Sequence, residues 1–153
     1  MELAGEYRLE ADKERVWAAL NDPDVLARCI PGCKELGRKA ENEFAAKVAL
    51  KIGPVSATFS GSVTLEDLDP PNGYRIIGQG NGGMAGFAKG GALVRLQESE
   101  GATILTYEAK AEIAGKIASL GARLISATSK KLADQFFSAF AREFAEAAPG
   151  SSA

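Results

Sequence analysis

Apolar and polar residues alternate along several stretches of this chain, and such alternation predicts half-buried β-strands. In the last of these stretches, apolar residues occupy the odd positions from Leu105 to Ile113, and polar or charged residues occupy the even ones between them. Turn-forming Gly, Pro, Asn and Asp residues separate the stretches. We predict strands over residues 2–10, 33–39, 43–52, 55–67, 73–81, 90–98 and 102–113.

Other stretches have the period of an α-helix, and helices are predicted over residues 12–22, 22–30 and about 116–147. Asp12 and Asp22 are suited to cap the two short helices, and Pro23 stands at the first helical position of the second. The long helix carries an apolar residue at every fourth position of its second half: Leu132, Phe136, Phe140 and Phe144. Because four residues exceed one helical turn, this stripe winds around the helix, and we expect it to contact different partners along its length.

The order of these elements indicates the fold. One strand, two short helices, six successive strands and one long helix predict an α+β fold, in which a seven-stranded, curved antiparallel sheet wraps around the C-terminal helix. The length of 153 residues fits a single domain, which we place at residues 1–147. Small and polar residues at 148–153 predict a disordered tail.

A glycine-rich stretch between the fifth and sixth predicted strands matches a nucleotide-binding spacing. Gly78, Gly80 and Gly83 satisfy G-x-G-x-x-G, a motif in which the helix that follows the glycine turn binds a phosphate. The residues that follow here have strand character and no helical stripe, so the spacing does not predict a phosphate site. We interpret the stretch as a long, flexible hairpin connection over residues 81–89.

Three connections are predicted to share one end of the sheet, because alternate turns of an antiparallel sheet lie at the same end. They are the Gly53-Pro54 turn, residues 81–89 and residues 113–116. Apolar residues, lysines and glycines mix there, which is typical of a gate or of a surface that meets a membrane or a partner. The predicted gate residues are Ile52, Gly82, Gly83, Met84, Gly86, Phe87, Lys89, Lys116 and Ile117. The alternative is that Met84 and Phe87 fold back and fill the core.

Small residues occupy many of the predicted inward positions: Gly5, Ala46, Ala57, Gly61, Gly78, Ala92, Ala109 and Ala111. Either the helix packs closer to compensate, or an apolar cavity is left between sheet and helix, open at the glycine-rich end and suited to an apolar ligand. The residues predicted to line such a cavity are Trp17, Phe44, Phe59, Leu105, Tyr107, Leu120 and Leu124. The Tyr107 hydroxyl is predicted to bond a ring carbonyl of the ligand.

The absence of histidine narrows the chemistry of the chain. It excludes Ser-His-Asp and Cys-His catalysis and every metal site that requires histidine. Cys29 and Cys33 enclose a Pro-Gly turn; buried free thiols are the favoured interpretation and a disulfide is the alternative. The formal net charge of -2 gives no reason to expect a nucleic-acid partner. An acidic N-terminus without an apolar signal core predicts a cytoplasmic location.

Four stretches resemble those of a known family: LNDPDVLARCIPGCKEL, KIGPVSATFSGSVTLEDLDPPNGYRIIGQG, GFAKGGA and KKLADQFFSAF. In these stretches, and in register over residues 1 to 141, the chain is similar to the carbon monoxide dehydrogenase CoxG family. That family belongs to the START-like (SRPBCC) helix-grip superfamily. The resemblance implies a curved antiparallel sheet that grips a C-terminal helix around a hydrophobic cavity.

The resemblance also implies a function. Family members accompany a molybdenum-containing carbon monoxide dehydrogenase or a related hydroxylase, and are expected to help connect it with the membrane respiratory chain. It implies a non-enzymatic carrier without a resident cofactor, which binds a membrane quinone or similar lipid and visits the inner face of the plasma membrane. Two alternatives stay open: a cyclase-like enzyme of the same fold, and an adaptor or assembly factor with a basic edge. That edge would consist of Lys116, Arg123, Lys130 and Lys131.

Overall fold

The computed structural model describes residues 1–146 and consists of one sheet and three α-helices. In chain order the elements are β1 (Glu2–Leu9), α1 (Lys13–Leu20), α2 (Pro23–Cys29), β2 (Cys33–Ala40), β3 (Glu43–Ile52), β4 (Val55–Asp69), β5 (Gly73–Asn81), β6 (Phe87–Ser99), β7 (Ala102–Ala114) and α3 (Ala122–Glu146). The sheet is antiparallel throughout, with strand order β1-β7-β6-β5-β4-β3-β2. The predicted α+β fold is confirmed. The predicted tail at 148–153 lies outside the described residues.

The two short helices begin where the sequence places their caps. The Asp12 carboxylate accepts a hydrogen bond from the backbone N–H of Arg15, and the Asp22 carboxylate accepts one from that of Asp24. Pro23 is the first residue of α2 and needs no partner for a backbone N–H. Together α1 and α2 close one side of the core, to which Val16, Leu20 and Cys29 contribute buried side chains.

The long helix begins later than the sequence predicts. Residues 116–120 form a separate 3₁₀ turn, and α3 starts only at Ala122. The glycines on either side of this turn cause the break, because Gly115 has φ 88° and Gly121 has φ 97°, values outside the helical region. The turn is therefore not a continuation of α3, and it carries the buried Ile117.

The second half of α3 is the part that anchors the helix. Phe140 and Phe144 are buried in the core, and their rings meet edge to face with centroids 5.1 Å apart. Tyr7 on β1 donates a 2.6 Å hydrogen bond to Asp134, and Arg28 on α2 forms a 2.6 Å ion pair with Glu143. These contacts join the helix to the first strand and to the second short helix.

The glycine-rich hairpin is shorter than predicted. Asn81 pairs with Phe87, so only residues 82–86 connect β5 and β6, and the prediction of a long, flexible connection over 81–89 is wrong. The loop is closed by its own hydrogen bonds: the Gly82 N–H donates to the Gly86 carbonyl, and the Gly83 N–H donates to the Asn81 side-chain oxygen, each at 2.8 Å. The remaining glycines of the stretch are paired residues of β5 and β6.

Candidate functional site

A row of small residues crosses the inner face of the sheet. Ala46 on β3 lies opposite Gly61 on β4, Gly61 opposite Gly80 on β5, and Gly80 opposite Ala88 on β6. Side chains of paired residues project from the same face, so four adjacent strands present almost no side-chain volume here. The helix does not approach closely enough to compensate, and a cavity of about 370 Å³ remains between the sheet and α3.

The cavity wall is apolar. Its lining residues come from the end of α2, five strands of the sheet, the 3₁₀ turn at 116–120 and α3: Ile30, Ala46, Val48, Leu50, Ile52, Phe59, Gly61, Ser62, Val63, Gln79, Gly80, Ala88, Ile113, Ile117, Ile125, Thr128, Ser129 and Leu132. None of these side chains is ionisable. Ser62 and Gln79 alternate with inward residues, so their side chains leave from the outer face. Thr128 and Ser129 on α3 are the remaining polar side chains of the wall.

Ile117 closes one end of the cavity, and the rest of the wall stays accessible. Ile117 is only 3% exposed, because the 3₁₀ turn inserts it between the sheet and the first half of α3. The other apolar lining residues are half-buried in the folded chain. Apolar walls that keep contact with solvent between two packed layers form a site for an apolar ligand.

The seven side chains proposed from the sequence as cavity lining lie in different places. Phe59 lines the cavity. Leu105 is fully buried in the core, and Trp17 packs on Tyr74 with ring centroids 5.2 Å apart. Phe44 is buried under the Arg38 guanidinium, 4.9 Å from its ring centroid, and Tyr107 stacks on Phe137 at 5.6 Å. Leu120 and Leu124 are half-buried beside the cavity end, where Leu124 covers the Gly53 turn.

The tyrosines belong to the core and are protonated at neutral pH. Burial raises the pKa of Tyr74 above its ordinary value, and burial with the Asp134 hydrogen bond raises the pKa of Tyr7. Burial also raises the pKa of Tyr107. None of the three tyrosines lines the cavity. Among the described residues, the cavity therefore has no phenol that could act as its general acid or base.

The predicted gate residues surround the end of the cavity that Ile117 closes. Ile52 and Ile117 line it, and Gly82 lies against the Phe59 ring, where an added Cβ would be 2.6 Å from Cε1. Gly86 touches the Gly115 turn, because a Cβ on Gly115 would lie 2.5 Å from the Gly86 Cα. The hairpin and the 3₁₀ turn are thus in direct backbone contact.

Met84 and Phe87 do not fill the core. Met84, at the tip of the hairpin, is 96% exposed, and Phe87 is 45% exposed on the outer face of β6. Gly83, beside Met84, has φ 64° and open space around it. The alternative in which these side chains fold back is wrong, and the hairpin instead presents an apolar tip to the surroundings.

Cationic side chains collect at this end of the molecule. The segments 49–58, 79–90 and 111–127 carry Lys51, Lys89, Lys116 and Arg123 against a single acid, Glu112. Lys89 and Glu112 form a 3.6 Å ion pair on the outer face of the sheet. Among residues 1–146 no carboxylate lies within 4.0 Å of the other three cations. This end of the molecule, called the cationic rim below, therefore carries an excess of positive charge in a chain whose net charge is -2.

The cysteines are free thiols. Cys29 is buried at the end of α2, and Cys33 is half-buried at the start of β2. Burial raises the pKa of the Cys29 thiol to about 11, so at neutral pH it is protonated and unreactive. These two residues are part of the turn that places Ile30 against the cavity.

Comparison with known proteins identifies the family. The family model of CoxG, a subunit of carbon monoxide dehydrogenase, matches residues 5–145. The chain belongs to the CoxG family. Among curated proteins no sequence matches the chain.

Solved structures similar to this CoxG family member share its fold. A conserved protein from Geobacillus kaustophilus is 31% identical with a TM-score of 0.90, covering 95% of this chain and 96% of that one. A START superfamily protein from Mycobacterium smegmatis is 11% identical with a TM-score of 0.73, and the coverage is 96% and 99%. An aromatase/cyclase from Streptomyces sp. R1128 is 14% identical with a TM-score of 0.65, and the coverage is 95% and 94%. The fold of this CoxG family protein is START-like.

The structure contains no helix within residues 1–146 whose length and apolar character would let it cross a membrane.

Proposed function

We propose that this protein is a non-enzymatic carrier that binds the apolar part of a membrane quinone or similar lipid in the cavity beneath α3. The observation that carries the proposal is an open apolar cavity of about 370 Å³ whose walls contain no ionisable side chain. An apolar ligand gains from leaving water in such a site, at roughly 25 cal/mol for each Å² of apolar surface removed from water. A charged ligand would find no partner for its charge.

An enzymatic function is less well supported. Cyclisation chemistry needs a group that gives or takes a proton within hydrogen-bond reach of the substrate. The aromatase/cyclase from Streptomyces shares the fold at 14% identity, and similarity at this level extends to the fold alone. The lining residues offer two hydroxyls on α3 and no carboxylate, amine or phenol. This composition supports binding rather than proton transfer.

Family membership supports the choice of partner. The CoxG family is described as a subunit of carbon monoxide dehydrogenase. We propose that the protein serves a molybdenum-containing carbon monoxide dehydrogenase or related hydroxylase and supplies it with the ligand carried in the cavity. An accessory role of this kind needs no catalytic residue in the carrier itself.

Extraction of the bound ligand tests the carrier function. The protein purified from its native host is extracted with organic solvent, and the extract is analysed by mass spectrometry beside an equal amount of serum albumin. We expect a quinone or lipid above the albumin background, at up to one molecule per chain. An extract that matches the albumin control, from protein that also fails to bind added quinone, would contradict the carrier and favour an adaptor.

The apolar tip and the cationic rim support a transient contact with an anionic membrane surface. We propose that Met84 enters the lipid headgroup region while Lys51, Lys116 and Arg123 meet anionic lipids. In this orientation the hairpin end of the cavity, which Ile117 closes, faces the bilayer, and displacement of Ile117 would admit the ligand from it.

Replacing Met84 by serine tests this contact. Full burial of a methionine side chain contributes about 1.5–3 kcal/mol, so Met84→Ser is expected to weaken binding to phosphatidylglycerol vesicles about tenfold or more in a sedimentation assay. Leu68→Ser is the matched control, because Leu68 is also an exposed apolar residue but lies near the far end of β4. Equal binding of the wild type and both variants would mean that the tip does not meet the bilayer.

A further inference from the structure

Thr128 is the unpaired polar group of the cavity. Of the two hydroxyls that α3 contributes to the wall, that of Ser129 donates to the Met1 sulfur at 3.3 Å. The Thr128 hydroxyl makes no hydrogen bond to any of residues 1–146. No buried side-chain oxygen or nitrogen in this part of the chain lacks a partner, so the Thr128 oxygen is accessible rather than sealed in the protein, and Thr128 lines the cavity. A ligand is therefore able to reach it.

The volume of the cavity limits what it encloses. A water molecule occupies about 30 Å³ in the liquid, so a cavity of about 370 Å³ has room for roughly a dozen non-hydrogen atoms. A methylated two-ring system of about thirteen such atoms is near this limit. A long isoprenoid or acyl chain exceeds it. Only the ring of such a ligand is enclosed, and its chain leaves through the accessible side of the cavity.

We propose that the cavity holds the ring of a carbonyl-bearing ligand and that Thr128 determines its specificity by donating a hydrogen bond to that carbonyl oxygen. This inference rests on the carrier function proposed above. An all-carbon ring would cover the Thr128 hydroxyl without giving it a partner, and an uncompensated buried hydroxyl is costly. A quinone carbonyl accepts the bond and so compensates the hydroxyl for the hydrogen bonding to water that it loses on burial. The remaining wall selects for an apolar ring of the right size.

A pair of ligands that differ only in their carbonyl oxygens tests the assignment. Menadione and 2-methylnaphthalene have the same carbon skeleton, and the binding of each is titrated by the quenching of intrinsic fluorescence or by calorimetry. The wild type is expected to prefer menadione. Thr128→Val removes the hydroxyl but keeps the shape, and should weaken menadione binding about twofold to tenfold while 2-methylnaphthalene binds as well as before or better.

Two further variants keep the test independent of folding. Thr128→Ser retains a hydroxyl and should retain the preference for menadione. Ser126→Ala removes a hydroxyl from the exposed side of α3, outside the cavity wall, and should leave the preference unchanged. Thermal unfolding of each variant verifies that the fold is intact.

The outcomes separate the two proposals. If the wild type binds neither compound, the carrier function itself fails. If it binds both equally and Thr128→Val changes nothing, the cavity binds apolar rings but Thr128 is not the donor. If Thr128→Val weakens the binding of both compounds by the same factor, Thr128 acts only as part of the wall. The specificity assignment is then overturned.

Discussion

Gly80→Phe is expected to abolish ligand binding while the fold stays intact. A Cβ added at Gly80 would have no atom within 4 Å, and the backbone there has an ordinary strand conformation. The phenylalanine side chain would therefore extend into the cavity over Gly61 and Ala88. Its seven non-hydrogen atoms would take more than half of the room for roughly a dozen such atoms that the cavity offers. The remaining space is too small for a two-ring ligand, and we expect menadione to bind at least 100-fold more weakly.

The chain offers a matched control for this substitution. Gly37 on β2 also has open space around its Cβ and no strained backbone, but it lies on the exposed edge strand, away from the cavity. Gly37→Phe should bind menadione like the wild type. Gly61 is unsuitable, because a Cβ there would be 2.8 Å from the Gln79 carbonyl oxygen. Unchanged affinity in a folded Gly80→Phe protein would show that the ligand binds elsewhere.

Phe140→Ala is expected to produce the largest loss of stability. Phe140 is fully buried and packs between the rings of Phe136 and Phe144, with centroids 5.6 and 5.1 Å away. Truncation of such a residue removes its burial and leaves a void, which costs about 3–5 kcal/mol. Urea denaturation should show this loss as a lower midpoint with an unchanged slope.

An exposed position on the same helix serves as the reference. Gln135→Ala should change the free energy of unfolding by less than about 0.5 kcal/mol, because its side chain is in solvent. A loss below about 1 kcal/mol for Phe140→Ala would mean that the second half of α3 does not anchor the helix.

The sheet was predictable because its pattern is local. Alternation and turn residues together locate the strands, and turns such as Gly53-Pro54 mark the reversals that pair β2 to β7 in succession, whereas the pairing of β1 with β7 is not local. The start of α3 was missed because Ile117 and Leu120 continue the helical spacing through the 3₁₀ turn. The signal that could have corrected it was the pair Gly115 and Gly121, since both take a positive φ that a continuous helix does not contain.

The cavity was harder to predict than the fold. The sequence favours bulky residues such as Trp17 and Leu105 for the wall, but Leu105 lies in the core and Trp17 packs against it. A void forms where side chains are missing, so its position follows from Ala46, Gly61, Gly80 and Ala88 aligning across four strands. That alignment depends on the register of three strand pairs. It also depends on where the phenylalanines of α3 dock, and no single segment contains this information.

Because the apolar stripe of α3 winds around the helix, different stretches of the helix contact different parts of the protein. Leu132 faces the cavity, whereas Phe140 and Phe144, two and three turns further along, hold the helix in the core. The volume that receives the ligand and the contacts that keep the chain folded are thus on separate stretches of one helix. Substitutions at Ile125, Thr128 or Leu132 should alter ligand choice with little effect on stability. Descendants or designed variants could therefore acquire new ligands by exchanging a few side chains, without first acquiring a more stable scaffold.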